Sequence, residues 1–306
     1  MIFQLLKAGL RCFPQTFPEF VYSVILRPKP LRAIANSILK WGVPEKLKIG
    51  SNFLMLNKND PVLGPALALG IYEKSEQDIF SDFCREGMTV IDVGANVGLY
   101  TLLAAEKVGK NGRVISIEPD PESHSYLART VDLNHLTQVR TLQVAAGHRE
   151  QEIDLFLSSD NKADSRIYDA TGKRPTIKVQ MKTLDTIVGE LDTKRVDLIK
   201  MDVQGAEGLA LQGMTRLLEQ SPELIMFLEF WPWGMTQIGT DPAWFLRELV
   251  KLDFRIQKLD EDKSQLVAVD DISKLLADHQ GLQYASIGMH RSHANLVCQR
   301  VRKPAS

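Results

Sequence analysis

Apolar and polar positions follow two periods along this chain, and the switch from one to the other marks its elements. In TVIDVGANVGLYTLLAA (89–105), Val90, Ile91 and Val93 form a short apolar run of strand type, and Leu99, Leu102, Leu103 and Ala105 form one face of a helix. Gly94 and Gly98 lie in the turn between them, and Asp92 sits where the strand ends. The pattern then repeats. RVISIEPDP (113–121) predicts a strand ending in acids, ESHSYLARTVDLNHL (122–136) an amphipathic helix and QVRTLQVAAG (138–147) a third strand. VDLIKMDV (196–203) predicts a fourth strand, with a helix over GAEGLALQGMTRLLEQ (205–220). ELIMFLEF (223–230) is a fifth, followed by a helix around AWFLRELVKLD (243–253) and late strands at FRIQKLD (254–260) and NLVCQR (295–300). KLKIGSNFLMLN (46–57) predicts a small antiparallel piece, and residues 151–186 a β-hairpin-like insertion of two strands around a polar loop.

Strands alternating with helices predict an α/β fold with a doubly wound, mainly parallel sheet and helices on both faces. Ligands of such sheets bind at the carboxyl ends of the strands, near the switch point. Asp92, Glu118, Ala145, Asp202 and Glu229 all fall at predicted ends. Four carboxylates on one rim repel each other unless something cationic or hydrogen-bonding sits among them.

Composition changes this picture little. The chain has 306 residues, 44% hydrophobic and 25% charged, with a formal net charge of −1, so no global field attracts nucleic acid. No apolar run reaches the ~18 residues of a membrane span. Cys12, Cys84 and Cys298 are few and far apart, which fits a reducing compartment, the cytoplasm, rather than a disulfide framework. The exception is residues 1–50, where eight Lys and Arg face Glu19 and Glu45. This basic amphipathic stretch predicts a helical extension, with the main domain over 51–303. It reads either as a peripheral contact with an anionic membrane or as helices capping the domain with their charges in solvent, and the second is the simpler.

The turn itself narrows the ligand. A dinucleotide fingerprint puts glycine at position 96, where the backbone approaches a pyrophosphate, and Asn96 stands there instead. Asp92 faces a pyrophosphate unfavourably, and no Gly-Lys-Ser/Thr follows to make a P-loop. A ligand without phosphate that carries an ammonium and a sulfonium suits the site better, and S-adenosylmethionine has both. Glu118, 26 residues after Asp92, is placed to accept hydrogen bonds from ribose hydroxyls. That feature alone also fits NAD, so a nicotinamide-dependent oxidoreductase is one alternative, and a binding protein that retains a cofactor fold is another.

GIYEKSEQDIFSDFCREGMTVIDVGANVGLYT, ISIEPDP, LDTIV, VDLIKMDVQGAE and ANLVCQR together resemble the FkbM-type S-adenosylmethionine-dependent methyltransferases, from about residue 57 to 301. The resemblance implies a class I methyltransferase, Rossmann-like fold and methyl transfer to a hydroxyl of a sugar, glycan or related small metabolite. It implies that Asp92, Gly94, Asn96 and Gly98 hold the methionine part, Glu118 the ribose and Ala145–Ala146 the adenine, with Glu73 meeting the ammonium. In one place the chain departs from the family. Gln204 stands where an acid is usual, so a metal held by an acid pair at Asp202 is not expected.

A hydroxyl nucleophile needs its proton taken. Asp202 is the first candidate and Glu229 the second; the other reading of Asp202 is a cap on the helix after it. Glu207 reads as a first-turn acid complementing the helix dipole. His148, His290 and His293 qualify as bases by type alone. Trp231 and Trp233 read as an acceptor-pocket wall or as packing.

The cofactor reading has a direct check. Calorimetric titration is expected to give S-adenosylhomocysteine at least about ten-fold tighter binding than NAD, a gap of roughly 1.4 kcal/mol. Equal affinities would restore the oxidoreductase alternative.

Overall fold

The computed structural model describes residues 43–301 except 59, 61–62, 71, 159–163, 171 and 280–292. The extension expected over 1–50 therefore lies outside the described residues up to position 42, as do Cys12 and His290. The strands are β1 (Lys46–Ile49), β2 (Asn52–Met55), β3 (Thr89–Val93), β4 (Arg113–Ile117), β5 (Val139–Leu142), β6 (Ala145–Ala146), β7 (Gln151–Phe156), β8 (Thr176–Lys182), β9 (Leu198–Met201), β10 (Ile225–Phe230), β11 (Phe254–Asp260), β12 (Gln265–Ala268) and β13 (Ala294–Arg300). The helices are α1 (Leu63–Leu69), α2 (Lys74–Phe83), α3 (Leu99–Val108), α4 (Pro121–Leu133), α5 (Leu184–Glu190), α6 (Glu207–Gln212), α7 (Thr215–Gln220), α8 (Pro232–Gln237), α9 (Pro242–Lys251) and α10 (Ile272–His279).

Apolar residues on both faces of the inner strands decide the layering. Ile91, Ile115 and Ile199 face one buried cluster while their neighbours Val90, Val114 and Leu198 face another, so the sheet is covered on both sides. Its order is β12-β11-β13-β10-β9-β3-β4-β5. β3 pairs in parallel with β4 and β9, β4 with β5 and β9 with β10, whereas β13 runs antiparallel to both β10 and β11. The chain winds outward from β3 through β5 and returns to β9, which places the switch point between β3 and β9. The reversed strand between β10 and β11 departs from the all-parallel 3-2-1-4-5-6 order of dinucleotide folds.

Two expectations need correction. Residues 138–147 are two strands, not one. β5 ends at Leu142, and Ala145–Ala146 pairs with β8 in a separate sheet of order β6-β8-β7, the expected hairpin-like insertion. The helix expected over 205–220 is broken into α6 and α7. The carbonyl of Gly213 accepts the Asp185 amide, and the Asp185 carboxylate takes the Arg216 and Leu217 amides that open α7. Between the late strands lie β12 and α10, and α8 follows Trp231. The β1–β2 hairpin straddles the division expected at residue 50.

Gly94 shows how tightly the switch point is built. Its φ is +83°, and a Cβ there would lie 2.0 Å from the carbonyl oxygen of Asp202. Left-handed backbone costs a residue with a side chain ~1–2 kcal/mol, to which the clash adds. Gly94→Ala is expected to lower unfolding free energy by at least about 2 kcal/mol in urea denaturation. An unchanged midpoint would show that β3 and β9 are free to part.

Candidate active site

Asp92 lies one residue inside β3 and is 2% exposed. Thr101, from the first turn of α3, donates to its Oδ2 at 2.6 Å and shares a hydrogen bond with Ser116 of β4 at 2.8 Å. The amides of Gly94 and Ala95 donate to the carbonyl of Ile117 at 2.9 and 3.0 Å, which curls the turn over the end of β4. Asn96, at φ 50°, turns its amide to Oε2 of Glu118 at 2.8 Å, and the Asp120 amide donates to Oε1 at the same distance. Asp120 in turn caps α4. Gly98 admits Leu127, whose Cδ1 lies 2.8 Å from where a Cβ would be, so α3 starts hard against α4.

These groups open on one cleft. Asp92, Gly94, Asn96, Glu118, Ala145, Ala146 and Asp202 all line it. Gly98, Glu73 and Glu229 are not among the lining residues; Glu73 reaches the wall through Tyr100, whose hydroxyl donates to it at 2.9 Å.

Asp202 follows β9 directly and does not cap α6, which has no side-chain cap bond. Gln204, at φ 55°, bridges two acids: Nε2 donates to Oδ1 of Asp202 at 2.9 Å and to Oε2 of Glu229 at 3.2 Å. Glu207 is 0% exposed, and its Oε1 takes the Val203 amide at 3.0 Å and the Gly205 amide at 3.4 Å. It is the first-turn acid expected, turned back into the loop before it. Donor oxygens of Asp202, Glu207 and Glu229 all lie within 4.8 Å of one another, a set able to hold a cation. His293 Nε2 stands 3.8 Å from Glu229 Oε1. Nothing beyond residue type supports His148.

Beneath this rim Lys200, 3% exposed, pairs with Glu76 at 3.0 Å and lies under the ring of Tyr100 at 4.9 Å. Burial alone would lower its pKa, but Glu76, Asp202 and Glu73 outweigh that and raise it. Burial pushes Asp92 up to about 6 and Glu118 to about 8, and burial with the neighbouring Glu76 pushes Glu73 up to about 8. Glu207 rises to about 7, and Glu229 rises well above its ordinary value, through burial and the nearby Asp202.

Ser165, Arg166 and Ile167 of the insertion also line the cleft. Arg166 is neutralised by Asp164 and lies over Trp231 at 4.5 Å. Trp231 is buried and outside the cleft lining, so packing is its role; Trp233 lies beside it, tilted by 37°, at 5.3 Å between centroids. Sequence reading missed Lys200, Glu76, Tyr100 and the bridge at Gln204. The signal for Lys200 was present: a lysine inside an otherwise apolar strand calls for a buried partner.

The residues fit S-adenosylmethionine. Asn96 lines the cleft, and its buried Oδ1 has no hydrogen-bond partner, an acceptor awaiting a donor such as an ammonium. Glu118 spends one lone pair of each oxygen on a backbone amide and is poised for neutral hydroxyl donors. The acids around Lys200 favour a cationic ligand and oppose a pyrophosphate.

The sheet order and this cleft define a class I S-adenosylmethionine-dependent methyltransferase. Residues 92–256 match the model of the methyltransferase FkbM domain, and the chain belongs to that family. It is 26% identical over 175 residues to Methyltransferase 1 of Beauveria bassiana, covering 49% of this chain and 70% of that one. It is 26% identical over 156 residues to 2-O-methyltransferase NoeI of Sinorhizobium fredii, covering 46% and 63%. The crystal structure of Methyltransferase FkbM from Methylobacillus flagellatus aligns with a TM-score of 0.40 and 14% identity over 91% of this chain and 60% of that one.

The raised carboxyl pKa values carry a stability consequence. Unfolded, Glu118 and Asp92 titrate near their ordinary 4.5 and 3.8; folded, they hold protons up to about 8 and about 6. The native state then binds more protons across that window, so stability falls as pH rises through it. Urea denaturation of the ligand-free protein from about pH 5 to about pH 8 is expected to show the decline, and Glu118→Gln to flatten it. An identical slope in the variant would mean that Glu118 is ionised throughout.

Proposed function

We propose that this methyltransferase acts on a hydroxyl of a sugar, glycan or related small metabolite, with Asp202 beside the reacting oxygen. The observation that carries the reading is the position of Asp202: it lines the same cleft as Asp92, Asn96 and Glu118, at the end of the strand next to the switch point. The existence of a relative named 2-O-methyltransferase supports a hydroxyl acceptor.

In this reading Asp92, Gly94 and Asn96 surround the methionine part, with Glu73 acting on the ammonium through Tyr100 and Gly98 setting where α3 begins. Glu118 takes the ribose hydroxyls, and Ala145 and Ala146, small and buried, leave room for the adenine. S-adenosylmethionine supplies an electrophilic methyl on a sulfonium. The chain's own contribution is alignment of the acceptor oxygen, worth up to ~7–11 kcal/mol, and removal of its proton. Asp202 would accept that proton as the acceptor oxygen takes the methyl and the methyl–sulfur bond breaks, leaving a neutral thioether. Glu229, second in line, is held well above its ordinary pKa by burial and by the neighbouring Asp202. Acceptor choice falls to Ser165, Arg166 and Ile167, since loops on a rigid scaffold carry specificity. A cytoplasmic setting is supported by Cys84 and Cys298, both buried free thiols. Among the described residues no helix is long and apolar enough to cross a membrane.

Methyl transfer from labelled S-adenosylmethionine to a panel of sugars, glycans, hydroxylated metabolites and RNA tests the acceptor; label on RNA alone would overturn the reading. On the acceptor found, Asp202→Asn is expected to lower turnover by roughly 10²–10⁴. Its affinity for S-adenosylhomocysteine is expected to stay within about three-fold of wild type, or ~0.7 kcal/mol. Full turnover in Asp202→Asn would pass the role to Glu229.

A further inference from the structure

Asp202, Glu207 and Glu229 bring three carboxylates within 4.8 Å, and Lys200 below them is already paired to Glu76 at 3.0 Å. Three such acids cannot all ionise without a compensating charge. The obvious compensation is a divalent cation. Here the space between two of them is taken by an amide: Nε2 of Gln204 donates one hydrogen to Asp202 at 2.9 Å and the other to Glu229 at 3.2 Å. The placement is enforced by the backbone. Gln204 sits at φ 55°, and the next residue, Gly205, at φ +101°, has no room for a Cβ, which would lie 2.6 Å from the backbone carbon of Gly234. The loop is held so that this side chain donates to both acids. The third acid, Glu207, keeps a buried Oε2 without a hydrogen-bond partner, so nothing bridges it to the other two.

We infer that Gln204 is a positioning residue: its amide occupies the place of a cation between Asp202 and Glu229, locks their relative orientation and keeps the cluster free of metal. This rests on the methyltransferase reading only for what Asp202 then does; the bridge itself is independent of the cofactor. A neutral amide orients two carboxylates without neutralising either. The other charged and titratable groups that face the cluster are Lys200, Glu73 and His293, and the lysine is already committed to Glu76.

Restoring a charge at position 204 therefore turns the cluster into a cation site. Titration with Mn²⁺, followed by calorimetry, is expected to give Gln204→Glu at least about ten-fold tighter binding than wild type. S-adenosylhomocysteine affinity, measured on the same samples, reports separately on the cofactor reading: a wild type that fails to bind it sinks that reading and leaves the Mn²⁺ comparison standing. Equal Mn²⁺ affinity in wild type and Gln204→Glu would overturn the inference. Should Gln204→Glu fail to fold, the wild-type protein decides alone. Absence of Mn²⁺ binding supports the amide bridge, and Mn²⁺ binding that Asp202→Asn abolishes overturns it.

Discussion

The ammonium of Lys200 stands under the switch point among Glu73, Glu76, Asp92, Asp202 and Glu229, and much of the site follows from how that charge is shared. Burying an ion costs several kcal/mol unless it is closely paired, and Glu76 at 3.0 Å meets that requirement. The pairing fixes α2 against β9 and so sets the wall from which Tyr100, hydrogen-bonded to Glu73, faces the cleft. The remaining acids outnumber the cation. Hydroxyl and amide donors hold them instead: Thr101 on Asp92, two backbone amides on Glu118, Gln204 on Asp202 and Glu229. Neutral donors of this kind hold the acids without cancelling their charge, which a cationic ligand would do. Preference for a sulfonium and an ammonium over a pyrophosphate is thus a property of the charge balance as well as of the turn at Asn96.

The scaffold and the variable parts are separately built. β3, β4, β9 and β10 carry Asp92, Glu118, Asp202 and Glu229 at or next to their carboxyl ends, and their positions are locked by apolar clusters on both faces. The insertion has its own three-stranded sheet and its own small core around Leu155, Val179 and Met181. It touches the cleft through a few residues near Arg166 and leans on the aromatic pair Trp231–Trp233. The insertion can therefore vary without change in the sheet, because its small core is separate from the clusters that pack the sheet.

Much of this was legible in the residues. Apolar runs of strand length separated by helical periodicity are local signals, and they identified the inner strands, the winding and the insertion. The glycine turn and the convergence of Asp92, Asn96 and Glu118 on one cleft were legible because strand ends and tight turns are written in residue type. The failures share a cause. α6 and α7 are parted by Asp185, which meets them only in the folded chain, and Ala145–Ala146 leaves β5 because a strand more than thirty residues later offers it a partner. Trp231 and Trp233 were ambiguous because an aromatic residue has the same type whether it faces a pocket or a core.

Sequence alone determined the class of fold, the strand ends that carry acids and the nature of the ligand, since each depends on periodicity or on chemistry within a few residues. Tertiary structure decided which charges meet. Lys200 and Glu76, or Gln204 and Glu229, are far apart along the chain and are joined by how β9 packs against α2 and β10. In a low-dielectric interior those distances set the ionisation of every neighbour, and a periodic pattern holds no information about them.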